Sequence, residues 1–455
     1  MGVFLLVTHG SDGDVLPFVG LGGALVRAGH RAVLLTHAPY RDAAAAAGLG
    51  FAAIDDETAF ERTLVDTTAL AGGAGGGLSW DAFYRRNGMF DQIAAECALL
   101  RTLHRPGETV LVGRHTSAVS VRFAAETLGA PAAWVALAPT QLMAVPVAAH
   151  TYATELGDGF AEVRLRLGLP PLRDWRRWFA GADAEIGLWP QWFDAAGHRC
   201  ADRVALTGFP LADGDAEVLG ARSATGGADP LAGLFDAGVR PVVATGGTGR
   251  MLDPAYYPAL VEAVGETGLP TLLVVRHRDL LPDRLPGTVR WSPGLPFAAV
   301  LPRAAALVHH GGIGTCARAL AAGTPQVLMA DGIDRPDNAD RLARLGLART
   351  VPVGQWRTGA LAARIRAAAA DTGYPARARA VTGDPDGRAA ADAAADRLTA
   401  LLADGPRTAD RPPADRLRGL TAAEVARLRE RLRRRPPAAA RPDPGQAPRP
   451  QGGDR

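Results

Sequence analysis

The sequence predicts an α/β protein made of two Rossmann-like halves in series, and three observations carry that prediction. Apolar runs of strand length alternate with Ala/Leu-rich runs of helical length. The alternation is interrupted by a stretch rich in Gly, Ala and Asp and then starts again. In each half the opening strand runs into a glycine-rich turn.

In the first half, residues 3–8 read as a strand, 18–28 as a helix, 32–36 as a second strand, and 110–112 and 132–137 as further strands. Residues 213–229 carry turn formers without periodicity and predict a linker. In the second half, 241–245 is a strand opening onto Gly246-Gly-Thr-Gly249, 258–266 is helical, and 271–275 and 304–308 are strands. The expected organisation is an N-terminal domain over 1–212, a linker over 213–236, a C-terminal domain over 237–403 and a tail over 404–455. The ligand cleft is expected between the two halves.

At 455 residues the chain exceeds one ordinary core. Hydrophobic content is 47%, but no apolar run reaches the roughly 20 residues that span a bilayer. Val3-Phe-Leu-Leu-Val-Thr8 reads as a buried strand, since no basic segment or cleavage site accompanies it, and a cytoplasmic location is the expectation. Cys97, Cys200 and Cys316 lie far apart and read as ordinary core residues. The net charge of +3 resides in the tail, where 13 Arg face 6 acidic residues from Pro406 onward, so the body is mildly acidic. No basic face interleaved with aromatics predicts nucleic-acid binding. The Arg/Pro-rich tail reads as disordered and solvated, apart from one short helix. Thr421-x-x-Glu424 has capping-box spacing, and Val425, Leu428 and Leu432 give a basic amphipathic face suited to peripheral contact with anionic lipid.

Leu307-Val-His-His-Gly-Gly-Ile-Gly-Thr-Cys316 carries the most chemistry. A strand enters paired histidines and glycines ahead of a helix, whose free N–H groups and dipole favour an anion such as a pyrophosphate. Thr8-His-Gly-Ser-Asp-Gly-Asp-Val-Leu-Pro17 follows the first strand, at its ligand-facing end. Asp14 there is a candidate base toward an acceptor hydroxyl, or else a helix cap; His9 is a second candidate base, or a histidine simply hydrogen-bonded in place.

With these blocks on the page, the sequence resembles the family 1 bacterial glycosyltransferases. The resemblance rests on Gly10-Ser-x-Gly-Asp-Val-x-Pro17, Gly29-His30, the His-His-Gly-Gly-x-Gly-Thr run, Ala322-Gly-x-Pro325 and Asp334-x-Pro-x-Asn-Ala339. Arg41-Asp-Ala43, Asp55-Asp-Glu57, Trp189-Pro-x-Trp-Phe193 and Thr207-Gly-Phe-Pro-Leu211 bring it nearest to the rhamnolipid-type rhamnosyltransferases and related natural-product and sterol enzymes. It covers residues 1–402. It implies the GT-B fold, two Rossmann-like domains facing across a cleft. It also implies an inverting transfer of a hexose or deoxyhexose from a dTDP- or UDP-sugar, a co-substrate rather than a cofactor, to a hydroxyl of an apolar small molecule or lipid.

The resemblance assigns Asp14 as base and His310 as the histidine that meets the leaving diphosphate. It assigns donor binding to Ser11, Gly247, Thr248, Leu295, His309, Gly311, Gly312, Gly314, Thr315, Asp334 and Arg335, with His309 the more structural of the paired histidines. No metal is required. Three departures stand out. Arg335 replaces the usual glutamine and is donor-only, so the sugar contacts differ or the side chain turns to solvent. Gly294 replaces the aromatic that stacks on the base, with Trp291 a substitute or a core residue. Arg318 replaces a ribose-binding glutamate, which favours a deoxyribose donor. Trp80, Phe83, Tyr84, Met89, Phe90, Trp175, Trp178 and Phe179 are candidates for an apolar acceptor pocket, with core packing as the alternative. The rival readings are a catalytically inactive GT-B binding protein and a Rossmann-type oxidoreductase, the latter weakened because the first turn is not a clean GxGxxG.

Overall fold

The two runs of alternation fold into two parallel sheets. A computed structural model describes residues 1–71, 78–200, 204–211, 238–250, 252–332, 334–357, 359–383 and 387–406. The expected linker and the tail helix near 421–435 lie outside the described residues.

The first sheet contains β1 (Val3–Val7), β2 (Arg31–Thr36), β3 (Gly50–Ala53), β4 (Thr109–Arg114), β5 (Ala132–Ala136), β6 (Ala184–Gly187) and β7 (Val204–Leu206). Their order is β3-β2-β1-β4-β5-β6-β7, all parallel. The second sheet contains β8 (Val242–Thr245), β9 (Thr271–Val274), β10 (Val289–Ser292), β11 (Ala306–His309), β12 (Gln326–Leu328) and β13 (Arg349–Thr350), in the order β10-β9-β8-β11-β12-β13. The central strands are buried throughout, as sheets covered by helices on both faces require, which is why they read as continuous apolar runs.

In such a sheet the strand order reverses at one point, and the loops leaving the two flanking strands open a crevice. Here the reversals fall between β1 and β4 and between β8 and β11. They place the loops after β1, β4, β8 and β11 at the ligand-facing ends, and these loops contain the motifs singled out above.

Two boundaries differ from expectation. The first helix runs from Asp12 to Arg27, so Asp14 lies in its first turn rather than ahead of it. The last helix, Gly387–Asp404, falls inside the range assigned to the C-terminal domain but packs on the N-terminal one. Its stripe of Ala391, Ala394, Ala395, Leu398 and Leu401 joins Phe4, Leu6, Phe18 and Leu21 in one core. The pattern announced an amphipathic helix, and only the surface it met decided its domain.

The domains are joined by an apolar seam. Ala136, Trp189 and Phe193 of the first domain pack with Ile313, Cys316, Leu320 and Leu342 of the second. Arg341, fully buried, crosses the seam. It donates to the carbonyls of Phe193 at 3.0 Å, Asp194 at 2.8 Å and His198 at 2.9 Å, and to Asp337 at 2.8 Å.

Candidate active site

On the second domain, β11 ends at His309 and the helix Ile313–Ala321 begins after Gly312. The Thr315 and Cys316 N–H groups turn back to the Gly312 carbonyl. The N–H groups of Gly312, Ile313 and Gly314 are thereby left to face the cleft, with the positive end of the helix dipole behind them. Gly311 has φ +89° and gives its own N–H to His309 Nδ1 at 3.2 Å. The amides of Gly311 and Thr315 are thus bonded inside the turn, which leaves those of Gly312 and Gly314 as its available backbone donors.

The paired histidines separate cleanly. His309 is fully buried, with Nε2 on Gln326 Oε1 at 3.0 Å and Nδ1 accepting from Gly311. Burial pushes its pKa down to about 4, so it is a neutral side chain bonded at both ring nitrogens. The ring of His310 lies between the backbones of Gly247 and Gly312. At Gly247, φ is +83° and a Cβ would stand 2.7 Å from the imidazole, so no larger residue leaves His310 in place. His310 Nδ1 is buried and has no partner among the described residues. Burial, the Arg335 charge and His309 hold it well below its ordinary pKa. A neutral imidazole that keeps one N–H to donate suits a phosphate oxygen.

The β8 turn completes this side. Thr245 Oγ1 accepts the Gly247 N–H at 3.0 Å, and the Thr248 backbone engages His277, which also meets Arg250 at 3.2 Å. Asp334 immediately precedes the helix Arg335–Arg344. Burial raises its pKa, and its carboxylate accepts from Asn338 at 3.2 Å. Asn338, fully buried, also donates to the Gly311 carbonyl at 3.1 Å and so ties the Asp334 segment to the phosphate turn. Arg335 does not turn away to solvent. It is half-buried, bonds the Asp331 carbonyl at 3.1 Å, and lies near enough to His310 to depress its basicity. The Leu295 side chain is core, leaving only its backbone for a nucleobase. Trp291 is partly buried, packs on the domain core and donates to the Val275 carbonyl at 2.9 Å.

On the first domain, the loop after β1 is fixed by pairs of ionisable groups. Asp14 Oδ1 meets Arg114 Nη1 from the end of β4 at 2.9 Å, and Oδ2 accepts the Ser11 N–H at 3.0 Å. The Gly10 N–H donates to His37 Nε2 at 2.9 Å, and His37 Nδ1 meets Asp55 at 2.6 Å. His9 Nε2 meets the buried Glu96 at 2.8 Å. Asp12 accepts from Tyr40 at 2.8 Å and from Arg276 of the other domain at 2.6 Å. Ser11 stands opposite Gly249, where a Cβ would lie 3.9 Å from its hydroxyl. After β4, Thr116 takes the left-handed conformation (φ 63°), and Tyr152 donates to its carbonyl at 2.6 Å.

The sequence reading gave no role to Glu96, Arg114, Arg276 or Asp12, and held Asn338 only as part of a motif. Arg114-His115 at the carboxyl end of a strand was the one available signal. Of the proposed acceptor residues, Phe83, Tyr84, Phe90, Trp175, Trp178 and Phe179 are core, Met89 packs against that core, and Trp80 remains exposed.

Facing switch points, a backbone anion site on one side and acid–base side chains on the other define the class: this is the GT-B architecture. It superposes on the glycosyltransferase VinC in complex with dTDP with a TM-score of 0.63 and 20% identity, covering 89% of this chain and 100% of that one. The spinosyn rhamnosyltransferase SpnG matches with a TM-score of 0.57 and 21% identity, over 95% and 100% of the two chains. More particularly, residues 269–401 match the family model described as erythromycin biosynthesis protein CIII-like, C-terminal domain. Within the curated relatives, the O-mycaminosyltylonolide 6-deoxyallosyltransferase of Streptomyces fradiae is 46% identical over 21% of this chain and 23% of its own length. The aclacinomycin-T 2-deoxy-L-fucose transferase of Streptomyces galilaeus is 37% identical over 21% and 22%. The matched segments thus span about a quarter of these relatives. Among the described residues no helix is long and apolar enough to cross a membrane.

Proposed function

We propose that the protein is a glycosyltransferase that moves a hexose or deoxyhexose from a nucleoside diphosphate sugar to a hydroxyl of an apolar small molecule or lipid. The observation that carries the proposal is the neutral His310, with an unpartnered buried nitrogen, set beside the free amides of a helix start and opposite the acid–base groups of the β1 loop. His310 and the amides of Gly312 and Gly314 stabilise charge on the departing diphosphate. The acceptor proton passes to a base on the β1 loop, the role the resemblance gives to Asp14, and a single displacement inverts the anomeric carbon.

A deoxyhexose on thymidine diphosphate is the favoured donor. The relatives' names specify deoxysugars, VinC was solved with dTDP, and Arg318 stands where a ribose-binding glutamate is usual. Asp334 with Arg335 is assigned to the sugar and Ser11 with Thr248 to the diphosphate edge. Cytoplasmic location and lipid contact through the basic tail are proposals from sequence. The test is thermal stabilisation by dTDP and UDP. A nucleotide at 100 times its Kd adds about 2.7 kcal/mol, and silence from both nucleotides would sink the reading.

A further inference from the structure

Three neighbours decide where the Asp14 carboxylate sits. Arg114 meets one oxygen and the Ser11 amide donates to the other. The third neighbour is bare backbone. Gly10 has φ +116°, and a Cβ there would stand 2.8 Å from Asp14 Cγ, so the Gly10 main chain lies directly against the carboxyl group. Any shift of Gly10 is therefore a shift of the space left to Asp14.

Gly10 is held by a side chain from another strand. His37 follows β2, is 4% exposed, and accepts the Gly10 N–H on Nε2 at 2.9 Å. A backbone amide can only donate, so Nε2 presents its lone pair and the single hydrogen of the ring is on Nδ1. That hydrogen is donated to Asp55 Oδ2 at 2.6 Å, and Asp55 Oδ1 accepts the Ala38 N–H at 3.2 Å. Phe60 covers the imidazole, with 4.6 Å between ring centroids. Asp55 lies just past β3, so the support runs sideways through the ends of β3, β2 and β1. A leucine at position 37 would fill most of this space without burying polar groups, but it would leave the Gly10 amide without an acceptor.

We propose that His37, held in one tautomer by Asp55, is a positioning residue for the base: it fixes Gly10 and, through Gly10, the carboxylate of Asp14. The inference rests on the transfer reading, which gives the acceptor's proton to Asp14. The acceptor O–H proton passes to that carboxylate as its oxygen bonds the anomeric carbon. The anomeric C–O bond breaks, and its electron pair leaves with the nucleoside diphosphate. His37 neither gains nor loses a proton in this step. Its effect is geometric, and a misplacement of about 1 Å is worth up to about 10²-fold in rate.

Three variants of the full chain separate positioning from packing. His37→Gln can set a carbonyl oxygen where Nε2 stood and still accept the Gly10 N–H, whereas His37→Leu cannot. In Asp55→Asn, an amide that keeps its oxygen on the Ala38 N–H turns its NH2 toward Nδ1. The ring hydrogen then moves to Nε2 and two donors face each other at Gly10. With dTDP-glucose or UDP-glucose and 4-methylumbelliferone, kcat is expected to fall about 10²-fold in His37→Leu and in Asp55→Asn. Donor KM and dTDP stabilisation should stay at the parent values, and His37→Gln should recover most of the rate. Added to His37→Gln, Asp55→Asn should cost little; an equal loss in both backgrounds, or a parent-like kcat in Asp55→Asn, overturns the proposal. The Asp14 carboxyl 13C resonance, assigned from Asp14→Asn, reports the coupling without any acceptor. It is expected to move in His37→Leu and Asp55→Asn and to hold in His37→Gln, and a resonance unmoved in all three also overturns the proposal. Should His37→Leu fail to fold, Asp55→Asn alone and with His37→Gln decides. A parent that neither dTDP nor UDP stabilises defeats the transfer reading instead, whatever the Asp14 resonance does.

Discussion

The two sides of the cleft solve their problem with different materials. The donor side relies on backbone amides, a neutral imidazole and glycines that let both come close. The acceptor side relies on polar side chains held in pairs: Asp14 with Arg114, His9 with Glu96, and His37 with Asp55. A diphosphate already carries charge, so dipoles preorganised around it suffice. A neutral hydroxyl must lose a proton, which needs a group able to take one. Backbone sites are written in one continuous motif, whereas paired side chains come from segments far apart in the chain.

The largest effect on stability tests whether the seam holds the two sides face to face. Arg341→Met leaves the carbonyls of Phe193, Asp194 and His198 without their donor; at about 1–3 kcal/mol for each of the two buried ones the expected loss is about 2 kcal/mol or more, read by urea unfolding. On the donor side, His310→Ala is expected to lower kcat by about 10²–10³-fold while the fold survives; a rate within threefold of the parent would break the contrast. Acid should destabilise the donor side through His309. Its folded pKa of about 4 lies below the unfolded value near 6.5, so the unfolded state binds the extra proton between them. Stability is full above about pH 6.5 and falls toward pH 4 by about 3 kcal/mol at most, a slope that His309→Asn should flatten. Asp14→Asn keeps an acceptor for the Ser11 amide but loses the ion pair and the group to which the transfer reading gives the acceptor proton, so turnover is expected to fall about 10²–10⁴-fold while dTDP stabilisation is kept. The smallest effect belongs to Arg276→Ala, which removes a partly exposed pair to Asp12 at the cleft mouth. A stability change under about 1 kcal/mol that shrinks further in salt is expected from denaturant melts at two ionic strengths.

Much of the donor half was legible because its parts are neighbours in sequence. Gly312 to Gly314 are consecutive, and the strand, turn and helix around them each leave a local signature. Even there, the sequence did not show that the Gly311 and Thr315 amides turn inward, since that depends on which acceptor each N–H finds once folded. The acceptor half was less legible. Glu96 looks like one more helical acid until the helix packs beneath β1, and Phe83, Tyr84 and Trp175 look like ligand aromatics until they close into a core.

By itself the sequence determined the two parallel sheets, the glycine turns at their switch points and the imidazole between them, because strand periodicity, positive-φ turns and helix starts are local physics. Only the tertiary structure decided that the last helix crosses to the first domain, that Arg341 fastens the seam, and that His9 and Asp14 receive different partners. Those outcomes turn on burial and on contacts across tens to hundreds of residues, where a charge becomes a base, an anchor or a cap according to what is packed against it.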